Sequence, residues 1–143
     1  MTVRTFALLF GVMFLLFGIA GFIPGLMKMP HPGHPHLVVN QNYGQLFGLF
    51  AVNILHDIVH VLFGLWGLAS FRSAAAAKVY ARGVAIIYGT LMIAGFVPGL
   101  ETMFGLVPLF QNDIWLHGLI ASMAAFFGWI HRDPVVDSIG MTV

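Results

Sequence analysis

Three polar side chains within one apolar stretch are the first candidates for chemistry in this sequence. His56, Asp57 and His60 occur in HDIVHVLFGLWGL, where the other residues are apolar. An α-helix turns by about 100° per residue, so these three side chains share one face of a helix. Ionisable groups inside an apolar membrane helix are costly, and they commonly mark a ligand site, an ion pathway or a buried polar network.

A fourth candidate, His117, lies in a later apolar stretch, at the end of the sequence DIWLH. Counted from the predicted cytoplasmic end of each stretch, His117 lies about level with His56, and His60 lies one turn closer to the cytoplasm. Histidines at similar depth on facing helices can be axial ligands to haem or another tetrapyrrole, a group that four-helix bundles commonly hold. Gly64 and Gly67 would leave room for such a flat ring.

Three interpretations of this cluster stay open. In the first, Asp57 accepts a hydrogen bond from His117 or from Tyr88, and the cluster is a structural network between helices. In the second, the three histidines and Asp57 bind a cofactor. Haem is the first candidate, and a transition metal is the second, since histidines at i and i+4 suit zinc or copper. In the third, the same side chains form a proton or ion pathway.

A second group of histidines, His31, His34 and His36, lies in the sequence MPHPGHPH. Histidine-rich tracts can gather around a borderline or soft metal ion, so these three residues are candidate metal ligands. The alternative is a plain exposed connection, since the prolines between the histidines stiffen the loop without making the three rings converge.

The composition indicates what kind of elements must hold these residues. Hydrophobic residues make up 59% of the 143 positions and charged residues only 8%, and the mean hydropathy is +0.94. Soluble domains contain about 45–50% apolar and about 25% charged residues. A soluble fold of this size would lack the polar residues to cover its surface. The sequence therefore predicts an integral membrane protein, with the lipid bilayer as its first partner.

Net charge, cysteine content and motifs exclude several functions. The formal net charge is +1 and the basic residues form no stripe, so a nucleic-acid partner has no support. The chain has no Cys, which excludes a disulfide framework, a thiolate metal site and a cysteine nucleophile. The sequence also lacks G-x-S-x-G, H-E-x-x-H and a P-loop, so we lean towards a protein without catalytic activity.

Four apolar stretches are long enough to span a bilayer, which takes about 20 mostly apolar residues per helix. They cover about residues 5–27, 43–71, 79–100 and 113–131. All but one of the basic residues lie on one predicted side of the membrane: Arg4, Arg72, Lys78, Arg82 and Arg132. The exception is Lys28. By the positive-inside rule, both termini and the middle loop are cytoplasmic, and the other two loops face outward.

The chain contains an internal repeat. GIAGFIPGL at residues 18–26 and MIAGFVPGL at residues 92–100 agree at seven of nine positions. Each copy ends an apolar stretch with Pro-Gly, which stops a helix and starts a turn. The sequence therefore predicts an all-α, integral membrane four-helix bundle made of two tandem pseudo-repeated helical hairpins, with halves at about residues 1–72 and 73–143.

The glycines raise the question of a helical partner. Gly44 and Gly48 form a G-x-x-x-G motif, which in a membrane helix allows another helix to approach closely. The approaching helix can belong to the same chain, to a second copy in a homodimer, or to another membrane protein. The motif does not separate these partners.

The order of the motifs also carries a resemblance. The relevant features are the repeated G-F-x-P-G helix end, the N-x-x-H-x-x-x-H pattern at Asn53, His56 and His60, the pair Gly64 and Gly67, and the D-x-x-x-H pattern at Asp113 and His117. In these features the chain resembles the DUF4383 family of small four-span bacterial membrane proteins, over nearly its whole length. The family is uncharacterised, so the resemblance implies a fold and a bacterial inner or other internal membrane, but no activity.

We expect a small accessory or structural membrane protein without catalysis of its own. A haem- or other tetrapyrrole-binding protein, with histidine ligands from the second and fourth spans, is the main alternative. A small ion or proton transporter is the third. A structural cluster would be fully hydrogen-bonded within the protein, whereas a cofactor protein or a transporter needs a cavity that reaches the histidines.

Overall fold

The computed structural model describes residues 1–132, and helices predominate in this part of the chain. The α-helices are α1 (Val3–Ala20), α2 (Ile54–Ser70), α3 (Ala74–Phe96) and α4 (Asn112–Ala125), and α4 continues into a π-helical turn, Phe126–Ile130. α1, α3 and the continuous segment Asn112–Ile130 are long and apolar enough to cross a membrane, and α2 is a shorter apolar helix. Residues 133–143, the end of the predicted second half, lie outside the described residues.

Side-chain caps explain where three of the helices begin. Thr2, Asn53 and Ser73 each accept a hydrogen bond from the backbone N–H three residues further on, at the start of α1, α2 and α3. Short polar side chains at this position satisfy one of the amide groups that a helix start leaves without a partner. α2 therefore begins at Ile54, whereas the apolar stretch alone predicts a start near residue 43.

A small antiparallel sheet occupies the segment where the sequence predicts the first turns of the second span. Its strand order is β1 (Met27–Lys28), β2 (Gly44–Leu46), β3 (Phe50–Val52). Phe47 and Gly48 lie in the connection from β2 to β3 with positive φ angles of 55° and 72°, as a tight hairpin turn requires. The prediction of an all-α fold is therefore wrong in this segment. Gly44 and Gly48 lie in a strand and a turn, not in a helical G-x-x-x-G motif.

The two copies of the repeat share part of their backbone hydrogen bonding. Two N–H···O hydrogen bonds of 2.9 to 3.1 Å recur at equivalent positions: Ile23 to Ala20 and Leu26 to Ile23 in the first copy, Val97 to Ala94 and Leu100 to Val97 in the second. Each long helix ends before the proline of its copy, α1 at Ala20 and α3 at Phe96. The predicted ends near residues 27 and 100 are too late, because the residue before proline disfavours the helical conformation.

The helices pack as two pairs, α1 against α2 and α3 against α4, and these contacts are the most extensive between elements. In each pair, an arginine of the first helix donates from Nε to a carbonyl near the end of the second. Arg4 donates to the Phe71 carbonyl at 2.8 Å, and Arg82 donates to the Gly128 carbonyl at 2.9 Å. The arginines thereby satisfy carbonyl groups that a helix end leaves free.

Aromatic side chains join the two helix pairs and contact the region in which the histidines lie. Phe6 stacks on Phe127 at 4.9 Å between ring centroids, and Phe14 stacks on Tyr88 at 5.2 Å. Phe14 also contacts His60 at 5.6 Å. The buried aromatic rings therefore form one wall of the region in which the histidines lie.

Candidate functional site

The structure brings three of the four cofactor-binding candidates together. The ring centroid of His56 lies 4.6 Å from that of His60 and 6.2 Å from that of His117. All three side chains are buried, with at most 7% of their surface exposed. α2 supplies His56 and His60 from one face, one turn apart, and α4 supplies His117 from the facing helix. We refer to these three residues as the histidine cluster.

Asn53 fixes the start of α2 and with it the position of the cluster. Its Oδ1 accepts a hydrogen bond from the His56 backbone N–H at 3.0 Å. Its Nδ2 donates to the carbonyls of Val39 and Leu106, each at 2.8 Å. These carbonyls belong to the two long connections that are predicted to face outward, so one buried amide joins both connections to the helix that carries His56 and His60.

Strand β3 lies beside the cluster and links α2 to α4. The backbone of Ala51 lies beside the His56 ring and the Asp113 carboxyl group. Asp113 is only 2% exposed, and its Oδ2 has no hydrogen-bond partner among residues 1–132. The hairpin that replaces the predicted helical turns therefore helps to position the first turns of both α2 and α4.

Asp57 is buried but faces a different set of groups. Asn42 donates from Nδ2 to Asp57 Oδ2 at 2.9 Å and to the Gly21 carbonyl at 2.6 Å. The Asp57 carboxyl group lies directly against Gly21, where a Cβ atom would collide with it. The partners that the sequence suggested for Asp57, His117 and Tyr88, are not its partners in the structure. Asp57 links α2 to the end of α1.

A cavity of about 220 Å³ opens next to the histidine cluster. It is lined by ten residues from α2, α3, α4 and the connection between the last two: His56, Val59, His60, Ile87, Tyr88, Leu91, Met103, Val107, Leu109 and His117. Apart from the histidines and the Tyr88 hydroxyl, these side chains are apolar. The walls are therefore those of a site for an apolar molecule with a small number of polar contacts.

A second, much smaller cavity of about 20 Å³ is also lined by His60. Its lining includes Phe14, Phe17 and Ile120, which are apolar. His60 is the residue that the linings of the two cavities share. The smaller one has room for about one water-sized molecule, so it does not extend the larger cavity into a wide channel.

Two ring nitrogens of the histidine cluster have no hydrogen-bond partner in the described part of the chain. They are Nδ1 of His56 and Nδ1 of His117. Buried polar atoms are normally paired, and a neutral imidazole has one donor and one acceptor nitrogen. The described residues also include no group of three or more His, Asp or Glu side chains arranged to hold a metal ion, so a transition metal at this cluster stays a prediction.

Gly64 and Gly67 do not leave space for a ring. A Cβ atom on Gly64 would lie 2.5 Å from Leu15 Cγ and 2.8 Å from Leu15 N. On Gly67, it would lie 2.7 Å from Gly11 Cα. Both glycines face α1, which fills the room that the sequence assigned to a tetrapyrrole.

The histidines of the outer loop lie apart from the cluster. The His31 and His34 ring centroids are 5.8 Å apart, and the His34 ring lies 5.1 Å from Phe110 in an edge-on contact. His31 and His36 are exposed. Tyr43 donates to the Pro35 carbonyl at 3.1 Å, and partial burial raises the pKa of the Tyr43 phenol, which keeps it a donor. A metal site at His31, His34 and His36 stays a prediction.

Sequence reasoning missed the residues of the connection between α3 and α4. Met103, Val107 and Leu109 line the cavity, but in the sequence they are ordinary apolar loop residues. Met103 and the next residue, Phe104, have φ angles of 45° and 60°, which non-glycine residues rarely adopt. No local sequence signal predicts such a backbone, because neither residue type favours it.

Comparison with known proteins identifies the family of the chain. The family described as "Domain of unknown function (DUF4383)" matches residues 4–130. No curated protein and no solved structure matches the chain. The family match covers both copies of the repeat, all of α2 and α3, and the histidine cluster, which is nearly everything that the structure describes. The chain belongs to the DUF4383 family.

Proposed function

We propose that this protein is a polytopic integral membrane protein that binds a small, lipid-soluble ligand in the cavity beside the histidine cluster. The observation that carries the proposal is an apolar cavity of about 220 Å³ next to histidine nitrogens without a partner in residues 1–132. Ligand sites combine mostly apolar walls with a few polar groups that orient the ligand. In a purely structural network, these histidine nitrogens would be paired. An accessory role alone therefore explains the unpaired nitrogens and the cavity less well than ligand binding does.

The proposed placement is a bacterial inner membrane crossed four times by two tandem hairpins, with both termini in the cytoplasm. Equivalent hydrogen bonds after α1 and α3 support the tandem arrangement, as do the similar contacts that Arg4 and Arg82 make near the end of the second helix of each pair. The distribution of basic residues supports the orientation. α2 has 17 residues and a length of about 25 Å, somewhat short of a hydrocarbon core of about 30 Å. The β2–β3 hairpin before it would continue towards the outer surface.

The volume of the cavity favours a ligand smaller than haem. An engineered apolar cavity of about 150 Å³ binds benzene, which is one six-membered ring. A tetrapyrrole contains four rings in one plane, and α1 packs on Gly64 and Gly67 where the plane was expected. Haem would therefore require the helices to separate. An ion pathway would need polar walls, which this cavity has only at the histidines and Tyr88.

The proposal is tested by asking what the protein retains from its membrane. The chain is purified in mild detergent and extracted with organic solvent, and the extract is analysed by mass spectrometry. Ile87 lines the cavity, whereas its neighbour Ile86 is 61% exposed and does not. We expect wild type and Ile86→Trp to retain the same lipid-soluble compound and Ile87→Trp to lose most of it.

Two outcomes contradict the proposal. Equal retention by Ile87→Trp would place the compound outside the cavity, and a compound-free wild type would leave the cavity without an occupant. The absorption spectrum of the same sample tests the main alternative, a haem-binding protein. A Soret band that shifts on reduction would show that the bound compound is haem and not a small ligand.

A further inference from the structure

We propose that the ligand is a membrane-soluble molecule whose headgroup is a single six-membered ring with hydrogen-bond-accepting oxygens, the chemistry of a quinone. This inference rests on the proposed function, because it names the class of ligand that the same cavity binds. It depends on three features of the cavity: its volume, the polar groups at its wall, and the side on which it reaches the surface.

The volume corresponds to one substituted ring. About 220 Å³ exceeds the roughly 150 Å³ that holds benzene, and the difference leaves room for a few small substituents. The walls are formed by aliphatic side chains such as Val59, Leu91 and Leu109, against which the faces of a ring can pack. An unbranched lipid chain would use neither the width of the cavity nor its polar groups.

The polar groups suit a ligand that accepts hydrogen bonds. Tyr88 and His60 both line the cavity, and the structure shows no hydrogen bond from either side chain within residues 1–132. A phenol O–H and a neutral imidazole N–H are donors, and the cavity wall offers no carboxylate or cation. A ring oxygen is the partner that these donors lack. A hydrocarbon ring would leave them unpaired, at a cost in affinity.

The opening of the cavity indicates entry from the lipid. Val59 on α2 and Ile87 on α3 line the cavity and are also 37% and 40% exposed at the apolar outer surface. Met103, Val107 and Leu109, which belong to the outer connection between α3 and α4, line the cavity on that side. A ligand therefore reaches the cavity between α2 and α3, within the proposed hydrocarbon layer, and its ring must be carried by a membrane-soluble molecule.

The experiment compares two ligands of nearly equal shape. 2,5-Dimethyl-1,4-benzoquinone and p-xylene are both planar six-membered rings with two methyl groups para to each other, and only the quinone has oxygens. The chain has no Cys, so no thiol adds to the quinone. Protein with [methyl-¹³C]methionine is placed in lipid nanodiscs and titrated by NMR. Met103 lines the cavity and reports binding, whereas Met29, which is 86% exposed, serves as the reference.

We expect both ligands to shift the Met103 signal, and the quinone to bind about tenfold tighter, which corresponds to roughly one net hydrogen bond. Tyr88→Phe should remove most of this preference while p-xylene binds as before. Tyr80→Phe is the matched control, because the Tyr80 hydroxyl is also buried and unpartnered but does not line the cavity. It should change neither affinity.

The outcomes separate the two proposals. The quinone inference fails if both ligands bind equally well, or if Tyr88→Phe keeps the preference for the quinone. In that case the cavity accepts apolar rings in general, and the proposed function still stands. If neither ligand shifts Met103 in the wild type, the cavity binds no ring from the lipid. The proposed function then fails as well.

Discussion

At the scale of single residues, Asn53 shows how one buried amide can organise a site that it does not line. The side chain is completely buried and uses its oxygen and both amide hydrogens in three hydrogen bonds. Two of them are to carbonyls in different connections, and the third caps α2. Every polar atom of the side chain has a partner, which is the condition under which a buried polar group stabilises a fold.

We predict that Asn53→Ala destabilises the protein by about 3 kcal/mol. The estimate combines a lost helix cap of about 1 kcal/mol with two part-buried carbonyls that lose their donor, at about 1 kcal/mol each. Unfolding in detergent, followed by circular dichroism, measures the change. Asn112 is the control, since its Nδ2 also donates to a carbonyl, that of Leu49, but at an exposed position. If Asn112→Ala costs as much as Asn53→Ala, the role assigned to Asn53 is wrong.

The individual residues also show which parts of the site the sequence can predict. Helical spacing places His56 and His60 on one face, and counting from the helix ends brings His117 level with them, because both arguments depend only on regular helix geometry. The partner of Asp57 could not be found in this way. It is Asn42, whose φ of 56° sets it in a left-handed loop conformation, and that conformation follows from the tertiary structure.

At the scale of elements, glycines determine how closely α1 and α2 approach. A Cβ atom on Gly11 would lie 2.8 Å from the Leu68 backbone nitrogen and 3.0 Å from the Gly64 carbonyl oxygen. Both contacts are with backbone, which cannot rotate away as a side chain can. Gly89 in α3 is different, since the nearest atom to its Cβ position would be Ala121 Cβ at 3.9 Å.

We therefore predict opposite effects for the same substitution at these two glycines. Gly11→Ala should destabilise the protein by about 1–3 kcal/mol, because overpacking forces α1 and α2 apart. Gly89→Ala should be neutral or stabilising by up to about 1 kcal/mol, because alanine favours a helix more than glycine does and meets no clash. Thermal unfolding of the two variants in one detergent makes the comparison. Equal destabilisation would show that helix contacts do not decide the effect.

The β2–β3 hairpin is the element that the sequence could not predict. Residues 43–52 read YGQLFGLFAV, and their apolar character continues into α2 without a break. Hydropathy therefore predicts one long span from residue 43. The distinction depends on the Asn53 cap and on the turn at Phe47 and Gly48, and on hydrogen bonds to β1, which is distant in sequence. Apolar runs alone do not separate a membrane helix from a buried hairpin.

At the scale of the whole molecule, the distribution of charge and the pairing of helices support the proposed topology. Arg4 and Arg82 contact the ends of α2 and of the segment after α4, so the two pairs close at the same end of the molecule. Arg72 and Lys78 lie at or near the same end, in the connection between α2 and α3 and in the first turns of α3. The histidine-rich loop lies at the other end. Among residues 1–132, Lys28 is the only Lys or Arg at that end.

This topology predicts how single cysteines react in intact cells. Because the chain has no Cys of its own, each variant carries only the introduced thiol. His31→Cys and Ala75→Cys each add one thiol at an exposed position, the first in the loop between β1 and β2 and the second at the start of α3. A membrane-impermeant maleimide should label His31→Cys in whole cells, and it should label Ala75→Cys only after the membrane is opened. Since the two positions lie on opposite sides of the proposed membrane, the reverse pattern would invert the topology. Equal labelling of both positions before lysis would contradict the proposed placement in the membrane. Entry of a ligand into the cavity from the lipid depends on that placement.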